Sequence, residues 1–225
     1  EVGADRISEF VDVTAASDPT EETYQATKAL DFNLHVGSES AQDNKISVSI
    51  AAMSAKGIGV DVLAKNGVTD AFGIPGGVIL DLLYAMEKRK NELCPHLNYN
   101  EQAAGFAAVG YAQLKGNIGV AYATRGPGFT NLLTAMAEAY QESIPVIFIT
   151  AHSNCDYDSK LRVIADQELD TRKLAGAISK QVYMIDKVDN FYEIVVNACN
   201  EANSNRKGPV LLDIASFLWK REING

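Results

Sequence analysis

Downstream of residue 67, short runs of apolar and β-branched residues are interleaved with longer stretches of helical periodicity. The runs at 68–74, 96–99, 118–123, 145–150, 182–185 and 210–214 read as strands, and 77–90, 101–114, 128–141 and 190–203 read as helices. The run at 145–150, Pro-Val-Ile-Phe-Ile-Thr, has no polar face and is predicted to be a buried central strand. Strands separated by helices of ~10–15 residues cannot pair as hairpins and pair in parallel through crossovers instead. Crossovers of that kind are right-handed. The chain is therefore expected to form an α/β fold: a doubly wound, mainly parallel six-stranded sheet with helices on both faces, three layers in all. Ligands of such folds bind at the carboxyl ends of the strands.

The upstream residues differ in kind. Residues 1–45 hold ten acidic and three basic side chains, a net of −7 out of the −9 carried by all 225 residues. They read as a separate acidic segment or the end of a preceding region. A helix start is expected at 17–22, weak alternation at Leu30, Phe32 and Leu34, and a polar linker at 37–44. Ile50, Met53, Ile58, Val62 and Leu63 fit a helix weakened by Gly57 and Gly59. The sheet domain is placed at 46–218, and 219–225 as the start of a linker. The first residue is Glu1 and no signal-peptide pattern follows it, so the chain is read as a piece of something longer. An acidic balance disfavours nucleic acid as a partner, and no apolar run reaches the ~18–20 residues that span a bilayer. Cys94, Cys155 and Cys199 are too few and too scattered for a disulfide scaffold, which points to a reducing, cytoplasmic compartment.

Four of the expected strands end in turns suited to a ligand. The first ends in Phe72-Gly73-Ile74-Pro75-Gly76-Gly77, and the second in Tyr99-Asn100-Glu101-Gln102 with Glu101 opening a helix. The third ends in Ala123-Thr124-Arg125-Gly126-Pro127-Gly128-Phe129-Thr130-Asn131, and the fourth in Thr150-Ala151-His152-Ser153-Asn154. One such turn is common to every doubly wound fold; four in register make a pocket. No GxGxxG follows the first strand, and neither GxxxxGK[ST] nor GxSxG occurs, which argues against dinucleotide, P-loop and hydrolase chemistry. His152 and Cys155 are too few for a metal site and read as local packing.

The ordered motifs 72–77, 100–112 (Asn-Glu-Gln-Ala-Ala-Gly-Phe-Ala-Ala-Val-Gly-Tyr-Ala) and 123–132 resemble the N-terminal pyrimidine-binding domain of thiamine diphosphate enzymes. The resemblance is to the acetolactate synthase and pyruvate oxidase group. It continues through Ala139-Tyr140, Ile144-Pro145 and Gly208-Pro209-Val210. In that family the glutamate at the second strand end is catalytic, and Glu101 matches it. A carboxyl group hydrogen-bonded to N1′ of the aminopyrimidine lets the 4′ nitrogen take the thiazolium C2 proton. Without the flanking motifs Glu101 would read as an ordinary first-turn acid. By the same resemblance Pro127 and Asn131 border the pyrimidine, and Ile74, Pro75, Gly76 and Gly77 form the loop on the substrate side. Gln167 matches a glutamine facing substrate, although the phenylalanine usually preceding it is Asp166 here. Asn100 replaces a histidine, Arg125 a serine and Phe129 an alanine; these departures bear on the substrate and not on the cofactor.

The family binds the diphosphate and Mg²⁺ through a Gly-Asp-Gly motif in a C-terminal domain, and no Gly-Asp-Gly occurs here. A middle domain holds FAD in some relatives, and nothing in this chain matches it. The resemblance thus implies half an active site, completed by a diphosphate-binding domain elsewhere in the protein or on another chain. It also implies a homo-oligomer, dimer or tetramer, because the small-residue helix from Glu101 lies at a subunit interface in the family. The implied activity is a 2-oxo acid decarboxylase or carboligase. Two alternatives stand beside it: a free-standing subunit of a two-chain decarboxylase of the sulfopyruvate type, and a non-catalytic assembly domain.

Overall fold

The structure, a computed structural model, describes residues 30–35, 45–50, 59–153, 165–187 and 190–218. It falls into two compact units, Glu1–Ala52 and Met53–Gly225. In the first, β1 (Leu30–His35) pairs antiparallel with β2 (Lys45–Ile50), from Leu30 opposite Ile50 to His35 opposite Lys45. The weak alternation expected at Leu30, Phe32 and Leu34 thus belongs to a strand. Ile50, expected to begin a helix, instead ends β2. Ile46, Val48 and Ile50 recur with a period of two, and residues 45–50 are extended. Helix α1 (Val60–Lys65) carries Val62 and Leu63, after Gly59. The expected helix start at 17–22, the linker at 37–44, Met53, Ile58, Cys155 and residues 219–225 lie outside the described residues.

The second unit holds a six-stranded sheet of order β4-β3-β5-β6-β8-β7, parallel throughout. Its strands are β3 (Asp70–Gly73), β4 (Cys94–Leu97), β5 (Gly119–Tyr122), β6 (Val146–His152), β7 (Gln181–Ile185) and β8 (Val210–Ala215). The connecting helices are α2 (Leu80–Lys88), α3 (Glu101–Lys115), α4 (Pro127–Gln141), α5 (Thr171–Ala175) and α6 (Phe191–Asn203). Every residue of β5, β6 and β8 is buried, as strands covered on both faces must be. One apolar cluster joins α1, α2 and α6 to one face of the sheet, including Val62, Leu82, Met86, Val195, Ile149 and Leu212. The second cluster packs α3 and α4 on the other face through Ala108, Phe129, Leu132, Met136 and Phe148. Among the described residues no helix is long and apolar enough to cross a membrane.

The strand order positions the site. The chain leaves β3 toward β4 on one side, then returns through β5 on the other side of β3 and moves away to β6. The turns after β3 and β5 therefore diverge, and the crevice between them is where ligands of such sheets bind.

Candidate functional site

Helix α3 begins where it does because Asn100 caps it. The Asn100 Oδ1 accepts from the backbone N–H of Gln102 at 2.8 Å and of Ala103 at 3.3 Å. This fixes Glu101 as the first helical residue, half-buried at the carboxyl end of the sheet. Ala104, Gly105, Ala108 and Ala112 are buried along the helix, and a Cβ on Gly105 would lie 2.6 Å from the Ala135 Cβ. The small residues thus bring α3 hard against α4, so that side chains of the two first turns meet. Asn131 Nδ2, one turn into α4, donates to Glu101 Oε2 at 2.9 Å.

Thr124 ties the neighbouring turns together. A Cβ on Gly76 would lie 2.0 Å from Thr124 Cγ2, so the 74–77 turn sits against the β5–α4 turn only because glycine stands there. A Cβ on Gly128 would lie 2.6 Å from Thr124 Oγ1 and 3.4 Å from Glu101 Oε1. Glu101 Oε1 therefore faces bare backbone while Oε2 is held by Asn131. Gly77 opens a 3-10 turn, Gly77–Ile79, and its bare Cα faces open space. Pro75, Gly77, Pro127 and Asn131 are exposed, and Ile74 and Gly76 are half-buried.

Gln167 reaches the same place from far along the chain. It is exposed, its φ is +54°, and its backbone carbonyl would lie 2.2 Å from a Cβ on Gly126. Gly126 itself has φ +65° and ψ −123°, a conformation that only glycine adopts readily, and it precedes Pro127 at the first position of α4. The turns holding Glu101, Gln167, Gly76, Pro127 and Asn131 thus form one chain of close approaches. For Ile74 and Pro75 the structure shows membership of that loop and no individual contact.

Two features escaped the sequence reading. Thr124, read only as part of a motif, is the side chain on which Gly76 and Gly128 converge. The turn 165–168 is held by ions: Glu168 Oε2 accepts from the Ser153 N–H at 2.9 Å, and Arg125 Nη1 stands 3.7 Å from the same oxygen.

At the carboxyl ends of β6 and β8 lies a buried polar cluster. His152 Nδ1 is 2.9 Å from Asp213 Oδ1 and its Nε2 is 2.8 Å from Asp186 Oδ1; Thr171 Oγ1 donates to Asp213 Oδ2. His152, expected to be local packing, is a buried node of this network. Carboxylates on both ring nitrogens are satisfied together only when both nitrogens carry hydrogen. Burial opposes the charged ring, but Asp213 and Asp186 outweigh it and the pKa is raised above 6.5. The folded state therefore holds the proton more tightly. Its stabilisation is complete below the unfolded value and is lost as pH rises through the folded one. Thermal melts of the parent and His152→Gln should differ most below about pH 6.5 and converge at higher pH. A gap that widens with pH would contradict this account of the cluster.

Among the described residues no group of three or more His, Cys, Asp or Glu side chains is arranged to hold a metal ion. The Glu101 crevice suits a different ligand. One carboxylate oxygen is held by an amide and the other faces bare backbone between glycine- and proline-lined turns. That arrangement leaves one carboxylate oxygen able to meet a ligand across Gly128.

Residues 53–174 match the family described as thiamine pyrophosphate enzyme, N-terminal TPP binding domain. An acetolactate synthase of Arthrospira platensis is 39% identical over 168 residues, 73% of this chain and 28% of the relative. The acetolactate synthase isozyme 2 large subunit of Escherichia coli (strain K12) is 39% identical over 157 residues, 69% of this chain and 27% of the relative. A chloroplastic acetolactate synthase 1 of Zea mays is 37% identical over 155 residues, 69% of this chain and 24% of the relative. The chain thus spans about a quarter of the length of these relatives.

Proposed function

Because the chain belongs to the thiamine pyrophosphate enzyme family, as its N-terminal TPP binding domain, we propose that it forms the pyrimidine-facing half of the active site of a 2-oxo acid decarboxylase or carboligase of the acetolactate synthase kind. The observation that carries this reading is the Glu101 carboxylate, held by Asn131 on one oxygen and open on the other. The bound cofactor supplies the carbon nucleophile that attacks a 2-oxo group. Glu101 Oε1 holds and returns a proton at the pyrimidine N1′. Asn131 keeps the carboxylate in the rotamer that points there, and the glycines at 76 and 128 let the ring approach. Pro127 and the 74–77 turn border it.

In this reading the diphosphate and Mg²⁺, and FAD where it is used, are held by residues outside this chain; its covering about a quarter of its relatives' length leaves room for them. An oligomer is part of this reading, and the exposed apolar side chains of Phe106 and Leu114 on α3 are available to a partner.

The test is release of CO₂ from pyruvate by the full-length enzyme. It should require added thiamine diphosphate and Mg²⁺. Activity that persists after complete removal of thiamine diphosphate would refute the proposal. If the complete enzyme binds the cofactor and turns over no 2-oxo acid, the assembly-domain reading replaces it.

A further inference from the structure

Gln167 is a non-glycine residue in left-handed backbone, a conformation that persists only where its surroundings hold it. The Glu168 N–H closes a turn on the Ala165 carbonyl at 3.2 Å, with Gln167 at the third position. Both neighbours of Gln167 are carboxylates, and one guanidinium meets both. Arg125 Nη1 lies 3.7 Å from Glu168 Oε2, and its Nη2 lies 4.0 Å from Asp166 Oδ2. The same Nη1 donates to Ser153 Oγ, and the Ser153 N–H donates to Glu168 Oε2. The Glu168 side chain is 1% exposed and that of Arg125 16%, so this pair is screened little, whereas Asp166 at 87% adds little. Arg125 belongs to the β5–α4 turn, immediately before Gly126, on which the Gln167 carbonyl rests.

We propose that Arg125 is a positioning residue: through Glu168 and Ser153 it fastens the 165–168 turn to the start of α4 and so sets where the Gln167 side chain stands beside Gly126. This rests on the reading that Gln167 faces the 2-oxo acid. Arginine suits the task because its planar fork reaches several acceptors at once, which a lysine ammonium does not. Arg125 makes none of the contacts that hold Glu101, so its loss alters the substrate end of the site and leaves the proton relay in place.

The test uses the full-length enzyme and two readouts. In Arg125→Ala, amide hydrogen exchange across 166–168 should accelerate while exchange in α3 stays at the parent's rate. With pyruvate, kcat/KM should fall by about 10–100-fold, mostly through KM, since small misplacements of positioning groups carry losses of that order. Exchange of the cofactor's C2 proton should stay unchanged. In a Gln167→Ala background the Arg125→Ala change should add less than about twofold, because coupled residues are not additive. Should Arg125→Ala fail to fold, Glu168→Gln removes the ion pair at constant shape and should give the same exchange and kinetics. Unaltered amide exchange at 166–168, or losses that multiply in the double variant, would overturn the proposal. An enzyme without thiamine diphosphate-dependent turnover would defeat the functional reading instead, and the amide exchange would still decide whether Arg125 holds the turn.

Discussion

Glu101→Gln is expected to leave the full-length enzyme folded and able to bind cofactor but to lower turnover by about 10²–10⁴-fold, the usual worth of a general acid–base group. Glutamine matches glutamate in shape, and its amide oxygen can still accept from Asn131 Nδ2, which now lies 2.9 Å from Oε2. The facing Gly128 offers no side chain that a substituted amide would strike. What glutamine cannot do is take up and return a proton at the position of Oε1. Melting temperature and cofactor affinity should therefore stay near the parent's while kcat collapses. A variant that retains most of its kcat would reduce Glu101 to a first-turn acid with no part in the chemistry. Asn131→Ala should show a milder loss, because it frees the carboxylate's orientation and keeps its proton.

Gly126→Ala should be damaging for a steric reason. Its backbone, at φ +65° and ψ −123°, is one an alanine adopts only with strain of about 1–3 kcal/mol. The added Cβ would also stand 2.2 Å from the Gln167 carbonyl, which is backbone and cannot rotate away. Either the helix start or the 165–168 turn must move. For a domain of this size each kcal/mol lowers the melting temperature by roughly 2–4 °C, so a drop of several degrees in the melting of this domain is expected, together with a loss of kcat/KM for the 2-oxo acid in the full-length enzyme. Parent-like melting and kinetics in Gly126→Ala would show that the two turns do not press on each other.

Most of the sheet unit was legible because its signals are local. The unbroken apolar run before Thr150 is β6, an interior strand between β5 and β8. The end of β5 and the start of α3 lie within a residue or two of where periodicity put them. β4 begins earlier than expected, at Cys94, and includes Pro95, which has no N–H to give a sheet. Proline is tolerated there because β4 is an edge strand, where one side of the backbone has no partner. Helix α5, from Thr171 to Ala175, is too short to show a period. In β2 the period-two signal was present and lost to apolar residues further on that suggested a helix.

The site divides in the same way. Glu101, Pro127 and Asn131 sit in contiguous motifs, so their types and spacing were readable. The contact between Glu101 and Asn131 spans 30 residues and depends on how closely α3 approaches α4. The Arg125 contacts and the His152 network join residues 28 to 61 positions apart, from turns and strand ends whose meeting only the sheet order decides. Charge and burial of single residues carry no trace of such pairings. Arg125 was legible only as a departure from the family's serine; the carboxylates that explain it lie beyond the next strand.

The central claim is that Glu101 moves a proton for the cofactor. The most direct measurement is the rate at which the thiazolium C2 proton exchanges for deuterium in the full-length enzyme, read by NMR after acid quenching at equal cofactor occupancy. Exchange in the parent should be fast, and in Glu101→Gln slower by about 10²–10⁴-fold, with the melting temperature unchanged. Equal exchange rates in parent and variant would contradict the account and leave Glu101 as part of the fold alone.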